Sequence, residues 1–434
     1  MMERTAPTTS RQAGTALGVL FVVSLFNYVD RSLLSILQVP IKADLGLSDA
    51  QLGALTGLSF AIFYATAALP IARLVDRWRR TWLMAAALAV WTTMTGLSGL
   101  ATGFGMLVVL RIGVALGEAG SVPATHSLLA DFFPFRWRGT VFAVWALASP
   151  IGIMLGVFAG GWLSEGLGWR TSFLVIGIAG WVMVPMLLLL REPPRGQFEP
   201  QAAGVAEAPP PVFEALRILW SLGSFRLLVA GTTLHAFAYT SLQNWLPPFY
   251  ARVHGMPLAE VALWAALMIG LGAGAGSFLG GAVMDVLSRR DVRWYGWALS
   301  ATMLLSAPLM LAQFFAPGPG LSIALGFVAM FMAAVYVGPV NAVAQSLVPP
   351  RMRGLTAAVL LLVPTVVGLG LGPLFTGVMS DIFASRFGME EDSLRYALSL
   401  TLIATLVAAV FMLRMGNQLR HDLPQPAAAA LVPA

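Results

Sequence analysis

The chain has 434 residues, of which 58% are hydrophobic and only 11% charged, and its mean hydropathy is +0.80. A soluble domain usually has about 25% charged residues, so the composition excludes an ordinary soluble protein and indicates repeated membrane spans. The absence of cysteine excludes disulfides and thiolate metal sites, and the four histidines are scattered, which argues against a histidine metal site. The net charge of +6 does not indicate nucleic-acid binding, because the arginines fall in short loops between apolar segments.

The apolar segments predict an all-α polytopic membrane protein with twelve transmembrane helices. The first apolar run follows a polar start, Met1 to Ala13, and extends to about Val39, which is too long for a cleaved signal peptide. We therefore take it as the first span. The predicted spans are 15–39, 50–74, 81–102, 105–130, 140–164 and 170–190, followed by 226–250, 258–284, 294–316, 320–346, 355–380 and 395–414.

Arginine is concentrated in alternate loops. Under the positive-inside rule, those loops are cytoplasmic. This predicts a multi-pass protein of the cell inner (plasma) membrane with both termini cytoplasmic. The loops in question carry Arg73, Arg77, Arg79 and Arg80; Arg136 and Arg138; Arg289, Arg290 and Arg293; and Arg351 and Arg353.

A segment rich in Pro, Ala and Gln divides the chain after span six. We predict an N-terminal six-helix bundle over 1–190, a cytoplasmic linker over 191–224, a C-terminal six-helix bundle over 225–420 and a disordered tail over 421–434. Within the linker, the pattern of Val212 to Leu222 is typical of a short amphipathic helix on the inner membrane surface.

The two halves repeat each other weakly. Span four exits into Pro134 and the arginines that follow it, and span ten exits in the same way after Pro349. Span five ends in the sequence Gly-Trp-Leu-Ser-Glu (161–165), and span eleven ends in Gly-Val-Met-Ser-Asp (377–381). Parallel six-span repeats are typical of major-facilitator transporters, whose substrate site lies near the membrane midplane. We therefore expect two pseudo-symmetric bundles in the major facilitator fold.

An acid followed by arginines ends both span two and span eight, and resembles the loop motif of the major-facilitator proteins. An acid at a helix end accepts hydrogen bonds from a neighbouring helix N-terminus or pairs with arginine, which would hold an inner gate shut. The alternative is a topology signal with solvated ion pairs of about 0–1 kcal/mol each. The predicted gating residues are Asp76, Arg77, Arg80, Arg138, Asp285, Arg289 and Arg353.

Four charged residues lie inside apolar spans of the first half: Asp30 and Arg31 in span one, Arg111 and Glu118 in span four. Each costs about 2.5–3.5 kcal/mol at the centre of a membrane helix, so such residues pair with one another or line a watery pathway. Arg111 and Glu118 are two helical turns apart, about 10 Å along the axis. Their depths suggest a pair between Asp30 and Arg111. The alternative is a static network that only holds spans one and four together.

Glu118 is the strongest candidate for proton coupling, with Asp30 as the second. A midplane carboxyl is desolvated, which favours its neutral form, whereas a nearby arginine favours the charged form. A carboxyl placed between these two effects changes its protonation as the cavity opens to either side.

In the second half, polar side chains in spans seven and ten are candidate substrate contacts: Tyr239, Asn244, Tyr336 and Asn341. Interhelical hydrogen bonding explains each of them equally well. Whether His235 in span seven takes part is left open.

Three segments of the first half carry a closer resemblance. They are Asn27-Tyr-Val-Asp30-Arg31 in span one, Gly117-Glu118-Ala119-Gly120 in span four, and Leu190-Arg-Glu-Pro-Pro-Arg-Gly196 after span six. Together they resemble the bacterial branch of the Spinster family within the major facilitators. The resemblance implies transport of lysophospholipids or sphingosine-phosphate-like lipids, with proton coupling in some members. It also implies that Arg31 or Arg111 holds the anionic headgroup, and Asn27 of the same motif is a further candidate substrate-binding residue.

We therefore expect a secondary active transporter that works by alternating access, is coupled to protons and moves an amphipathic anionic lipid. An organic-anion or drug transporter of the same superfamily is the alternative. A membrane enzyme that acts on lipids is another alternative, but the sequence contains no cluster of catalytic residues. A non-transporting receptor is a third alternative, and it would bind the ligand without moving it across the membrane. We expect no cofactor and no nucleic-acid partner; the proton gradient is the driving force. The expected partners are the substrate and membrane lipids, and a monomer suffices for this fold.

Overall fold

The structure is a computed structural model that describes residues 9–198 and 211–423. Within these residues the regular structure is helical and no strand is present, which confirms the all-α class. The predicted disordered tail lies almost entirely outside the described residues, as does the middle of the predicted linker, 199–210. Four side chains also fall outside the description: Leu69, Ala72, Asp76 and Pro350.

The helices of the first half follow the predicted order, and span two contains a π-helical turn. In chain order the helices are Ser10–Leu45 for span one; Asp49–Gly53, the π-helix Ala54–Leu58 and Ser59–Arg77 for span two; Arg80–Ser98 for span three; Phe104–Glu118 and Ser121–Phe132 for span four; and Phe135–Ala146, Ala148–Trp181 and Met183–Leu189 for spans five and six together.

The second half begins with the helix Val212–Ser221, where the sequence predicts an amphipathic segment. The spans then follow as Gly223–Val253 for span seven; Leu258–Leu267, the π-helix Met268–Ala273 and Gly274–Ser288 for span eight; Trp294–Phe314 for span nine; Pro319–Ala334 and Val337–Ser346 for span ten; Arg353–Val363, the π-helix Pro364–Leu371 and Gly372–Phe387 for span eleven; and Ser393–Asp422 for span twelve.

Nine helical stretches in the described residues are long and apolar enough to cross a membrane. One of them, Phe135–Leu189, contains both span five and span six, because Gly168 interrupts the helix with φ at +80°, a conformation that glycine adopts without strain. The helices Arg80–Ser98 and Gly223–Val253 provide spans three and seven. Counted in this way, the helices agree with the predicted twelve spans.

Spans four and ten are interrupted at matching places. Span four breaks between Glu118 and Ser121, and span ten breaks between Ala334 and Val337. Ala119, Gly120, Val335 and Tyr336 keep right-handed helical dihedral angles, so each break is a local irregularity in the helix and not unwound backbone. Glu118 lies beside the first of these irregularities and Tyr336 lies in the second.

The contacts divide the chain into two compact units that mostly follow the predicted halves. Unit 1 comprises Met1–Leu47, Ser59–Ala206 and Leu258–Ala266, and unit 2 comprises Ser48–Leu58, Glu207–Pro257 and Leu267–Ala434. The first turns of span two, Ser48–Leu58, thus belong to unit 2, and those of span eight, Leu258–Ala266, belong to unit 1.

Candidate functional site

Glycines in span five fix the orientation of span one in unit 1. A Cβ at Gly152 would overlap the carbonyl oxygen of Leu25, and a Cβ at Gly156 would overlap Val29 and the Ser32 hydroxyl. Small residues allow this close helix approach. Since that face of span one is covered by span five, the Asp30 and Arg31 side chains are directed toward spans three and four.

Arg31, rather than Asp30, meets span four. Its Nε donates a hydrogen bond to Glu118 Oε2 at 2.6 Å, and the two form an ion pair in which the Glu118 side chain is fully buried. The Arg31 guanidinium also lies 4.8 Å from the Phe60 ring centroid and 4.6 Å from that of Tyr64. A cation over aromatic faces is stabilised by the ring quadrupole, so Arg31 is held by one carboxylate and three rings, the third being Tyr28 at 5.7 Å.

Asp30 is bound by span three instead. The Thr95 hydroxyl donates to Asp30 Oδ2 at 2.6 Å, and Asp30 is fully buried. Its second oxygen, Oδ1, has no hydrogen-bond partner among the described residues. No hydrogen bond or ion pair joins Asp30 to Arg111 among the described residues, although the two opposite charges attract each other inside unit 1.

Arg111 is the cation of the site without a bound carboxylate. It is 3% exposed, and it makes no hydrogen bond or ion pair with any residue that the structure describes. Its guanidinium lies 5.5 Å from the Phe60 ring centroid. Asn27, one turn before Arg31, is also buried, and its amide nitrogen and Glu118 Oε1 are both without a partner in the described part of the chain. Unit 1 thus contains two buried carboxyls, one buried guanidinium and the partly buried Arg31, with several polar atoms still available.

In unit 2 the break of span ten brings three rings together. His235 and Tyr239 lie 6.1 Å apart between centroids, and Tyr336 packs edge-on against both, at 4.7 Å from His235 and 5.9 Å from Tyr239. The His235 Nε2 lies 2.8 Å from the carbonyl oxygen of Ala333, so this nitrogen carries a proton and donates it. The His235 Nδ1 is buried and has no partner in the described residues.

The two predicted asparagines are outside this ring cluster. Asn244 Nδ2 donates to the carbonyl oxygen of Thr240 at 3.0 Å, and Asn341 Nδ2 donates to that of Val337 at 2.9 Å. Each therefore bonds its own helix. Their role as substrate contacts stays a prediction.

Among the predicted gating residues, Arg80 lies in a buried network inside unit 1. Its Nε donates to Glu192 Oε1 at 2.7 Å, its Nη1 pairs with Asp131, and its Nη2 donates to the carbonyl oxygen of Pro193. Glu192 also accepts from the Thr81 amide. Burial raises the pKa of Glu192, but the hydrogen bonds from Arg80 and Thr81 outweigh burial and lower this pKa below its ordinary value. Arg80 thus fastens the start of the linker to the bundle.

The other predicted gating residues lie at helix ends. Arg138 donates to the carbonyl oxygens of Ala130 and Phe133 at the end of span four. The side chain of Asp76 lies outside the described residues. The remaining four are exposed, and their gating role stays a prediction: Arg77, Asp285, Arg289 and Arg353.

The aromatic and hydroxyl neighbours of the charged residues in spans one and four were not predicted from the sequence. Phe60 and Tyr64 lie four residues apart in span two, and Thr95 lies in span three. The spacing of Phe60 and Tyr64 places them on one helix face, which was the available signal. Aromatic residues are common in membrane helices, so this signal alone does not single them out.

Two bundles with buried charges and helix breaks define a membrane transporter, and comparison with known proteins gives the family. The model of the Major Facilitator Superfamily matches residues 20–368, and the chain belongs to this family. Its fold and family are those of transporters, which confirms that it is not an enzyme and removes the membrane-enzyme alternative.

Within the superfamily the chain is a Spinster-like transporter, as its motifs predict. A bacterial homolog of the human lysosomal transporter Spinster, crystallised in an inward-facing and unoccupied conformation, is 28% identical and superposes with a TM-score of 0.90, covering 96% of this chain and 100% of the other. An MFS-type efflux pump of Mycolicibacterium smegmatis is 34% identical over 424 residues, 96% of each chain. A probable L-galactonate transporter of Escherichia coli is 30% identical over 283 residues, 63% of this chain and 62% of that protein.

Proposed function

We propose that this protein is a proton-coupled transporter of an amphipathic anion, in the first place a lysophospholipid or a sphingosine-phosphate-like lipid. It works by alternating access. The observation that carries the proposal is Arg111, a buried guanidinium that makes no hydrogen bond or ion pair with a carboxylate in the described residues. Asp30 and Glu118 balance its charge only at a distance, so its N–H donors are available to an anionic ligand group.

Arginine also suits the headgroup in question. Its planar guanidinium offers two parallel N–H donors to a phosphate or carboxylate, which gives orientation as well as affinity. Arg31 is available only in part, because Glu118 already accepts from its Nε. Arg111 is therefore the first contact of the headgroup, and Arg31 becomes a second contact once Glu118 releases it. Asn27 adds an amide donor beside them.

Charge balance supports proton coupling. The site contains two buried acids, Asp30 and Glu118, the buried Arg111 and the partly buried Arg31, so their charges cancel when all four are ionised. An entering anion adds one negative charge, and one proton taken up by a carboxyl restores the balance. Glu118 suits this role because its protonation also frees Arg31 for the ligand. Asp30, held by Thr95, is the second candidate.

The ring cluster of unit 2 offers, by itself, the mixed apolar and polar surface that an amphipathic ligand needs. Tyrosine presents an apolar body and a polar tip, and the cluster of His235, Tyr239 and Tyr336 offers both kinds of surface. The lipid class itself rests on the likeness to Spinster proteins. An organic anion or drug is the second candidate, favoured by the likeness to an efflux pump and to a sugar-acid transporter.

We also propose a location and an oligomeric state. The concentration of arginine in alternate loops supports an inner-membrane protein with both termini cytoplasmic. A monomer suffices for this fold, so we propose that the protein acts as a monomer without a cofactor, driven by the proton gradient.

The test is flux of a labelled lysolipid into proteoliposomes, with and without an imposed pH gradient. Gradient-dependent accumulation that unlabelled lysolipids suppress, and that small carboxylates do not, is the expected result. Suppression by small carboxylates alone would move the assignment to an organic anion. Binding of lysolipid without any movement would favour a receptor and contradict the transport proposal.

A further inference from the structure

The repeated sequence at the ends of spans five and eleven has a shared structural role that the transport site does not use. Each copy consists of a glycine, two apolar residues, a serine and an acid: Gly161 to Glu165 and Gly377 to Asp381. Both copies lie at the end of their unit away from the linker. In each copy the acid binds the first turn of another span.

In unit 2, Asp381 caps the start of span two. Its Oδ1 accepts from the amide of Asp49 at 3.0 Å, and its Oδ2 accepts from the amide of Ala50 at 2.8 Å. Because a helix N-terminus presents free N–H groups and a partial positive charge, a carboxylate there is stabilised. A Cβ at Gly377 would overlap the carbonyl oxygen of Asp49, so the glycine is what permits this close approach.

Further bonds hold the same turn in unit 2. The Ser380 hydroxyl donates to Asp49 Oδ2 at 2.6 Å, and Arg252 Nη1 donates to the same oxygen at 2.8 Å. Arg252 Nη2 also bonds the Ser393 hydroxyl at the start of span twelve. The first turn of span two is therefore held directly by spans seven and eleven, and Ser393 of span twelve bonds the side chains that hold it.

In unit 1, Glu165 makes the equivalent contact with span eight. Its Oε2 accepts from the amide of Ala259 at 2.7 Å. A Cβ at Gly161 would overlap the methyl group of Ala262, which again shows that the glycine permits the contact. The two copies thus make the same kind of contact, one in each unit.

We infer that Glu165 and Asp381 are gating residues: each holds the first turn of a span that the sequence assigns to the other half, and transport requires both contacts to break and re-form. Glu165 is exposed and Asp381 is half-buried, so water replaces the lost hydrogen bonds when a contact opens. A contact of this kind is strong enough to favour one state and weak enough to be released in each cycle.

The absence of cysteine from the chain allows a direct test with single-cysteine reporters. Leu52, 1% exposed, reports on the start of span two, and Val261, fully buried, reports on the start of span eight. Leu52→Cys and Val261→Cys are each combined with Asp381→Asn or Glu165→Gln, and the rate of maleimide labelling is measured on purified protein in detergent. Asp381 accepts one hydrogen bond on each carboxylate oxygen, and Asn has only one acceptor oxygen, so Asp381→Asn removes at least one of the two bonds.

We expect either substitution to raise the labelling rate of both reporters by about three- to tenfold. This factor corresponds to the free energy lost when a helix cap is removed. The matched control is Asp44→Asn, which removes an exposed acid paired with Arg170 at the same end of unit 1 and leaves labelling unchanged.

A rise confined to the neighbouring reporter, or no rise, would show static packing within each unit and overturn the inference. If Asp381→Asn does not fold, Ser380→Ala removes one bond to Asp49 and gives the same comparison. The assay uses no substrate, so its result is independent of the proposed cargo.

Discussion

Replacing Glu118 with glutamine separates proton coupling from substrate binding. In the structure Glu118 is fully buried and accepts from Arg31 Nε at 2.6 Å. Glutamine keeps the shape and one acceptor oxygen, so Arg31 retains a hydrogen-bond partner. It removes the negative charge and the titratable group. We expect the variant to bind substrate and to lose the ability to accumulate it against its gradient.

The size of the effect follows from the charge count. One pH unit corresponds to about 1.4 kcal/mol per proton moved, a factor of about ten in concentration. A monoanion that enters with one proton crosses without net charge, so the wild-type protein accumulates it about tenfold per pH unit. Glu118→Gln leaves two guanidiniums and one carboxyl at the site, so an anion neutralises the site without a proton. Accumulation should then fall to about parity.

The assay is uptake into proteoliposomes at imposed gradients of zero, one and two pH units. The control is Asp44→Asn, which removes an exposed acid of span one outside the buried site and should keep the wild-type slope. Asp30→Asn tests the second carboxyl in the same way. If Glu118→Gln accumulates substrate as steeply with the gradient as the wild-type protein does, Glu118 does not carry the coupled proton.

Three further predictions follow from the buried charges. Arg111→Ala should abolish transport at unchanged expression, and Arg111→Lys should restore part of the substrate binding measured by competition; wild-type flux in the alanine variant would make Arg111 structural. Arg80→Met should lower stability by about 3–5 kcal/mol, since Asp131 and Glu192 lose their buried partner, whereas the exposed Arg73→Met should change thermal unfolding little. Because the pKa of Glu192 is lowered below its ordinary value of 4.5, its contribution to stability is present above that value and is lost as pH falls through the lowered one. The unfolding temperature of Glu192→Gln should therefore depend less on acid pH than that of the wild-type protein, and an identical pH dependence would contradict this.

Most of the fold could be predicted from the sequence, because long apolar segments and arginine-rich loops are required by the membrane itself. The helix over Val212–Ser221 was also predictable, from its amphipathic pattern. The grouping of Ser48–Leu58 with unit 2 was not. It depends on close backbone approach, at Gly53 to Pro373 and at Gly57 to Gly370, and a glycine in a membrane span does not indicate which helix it meets.

The buried charges were predictable as a set, since each is exceptional within its span. Their pairing was not. Asp30 and Arg31 are adjacent, so the choice of which one faces span four depends on the rotation of span one, and span five sets that rotation through Gly152 and Gly156. Because the sequence shows depth but not rotation, the partner of Glu118 was assigned only by the structure.

The fastening of the linker start to unit 1 also determines where the chain can be divided. Arg80 bonds Glu192 and Pro193, and the amide of Gly196 donates to Asp131. A first fragment that ends at Leu190 would bury Arg80 without its glutamate, whereas one that ends after Phe198 retains all of these bonds. If the two halves are expressed as separate chains, they should therefore reassemble only when the chain is divided after residue 196. The six residues after Leu190 belong physically to the first bundle.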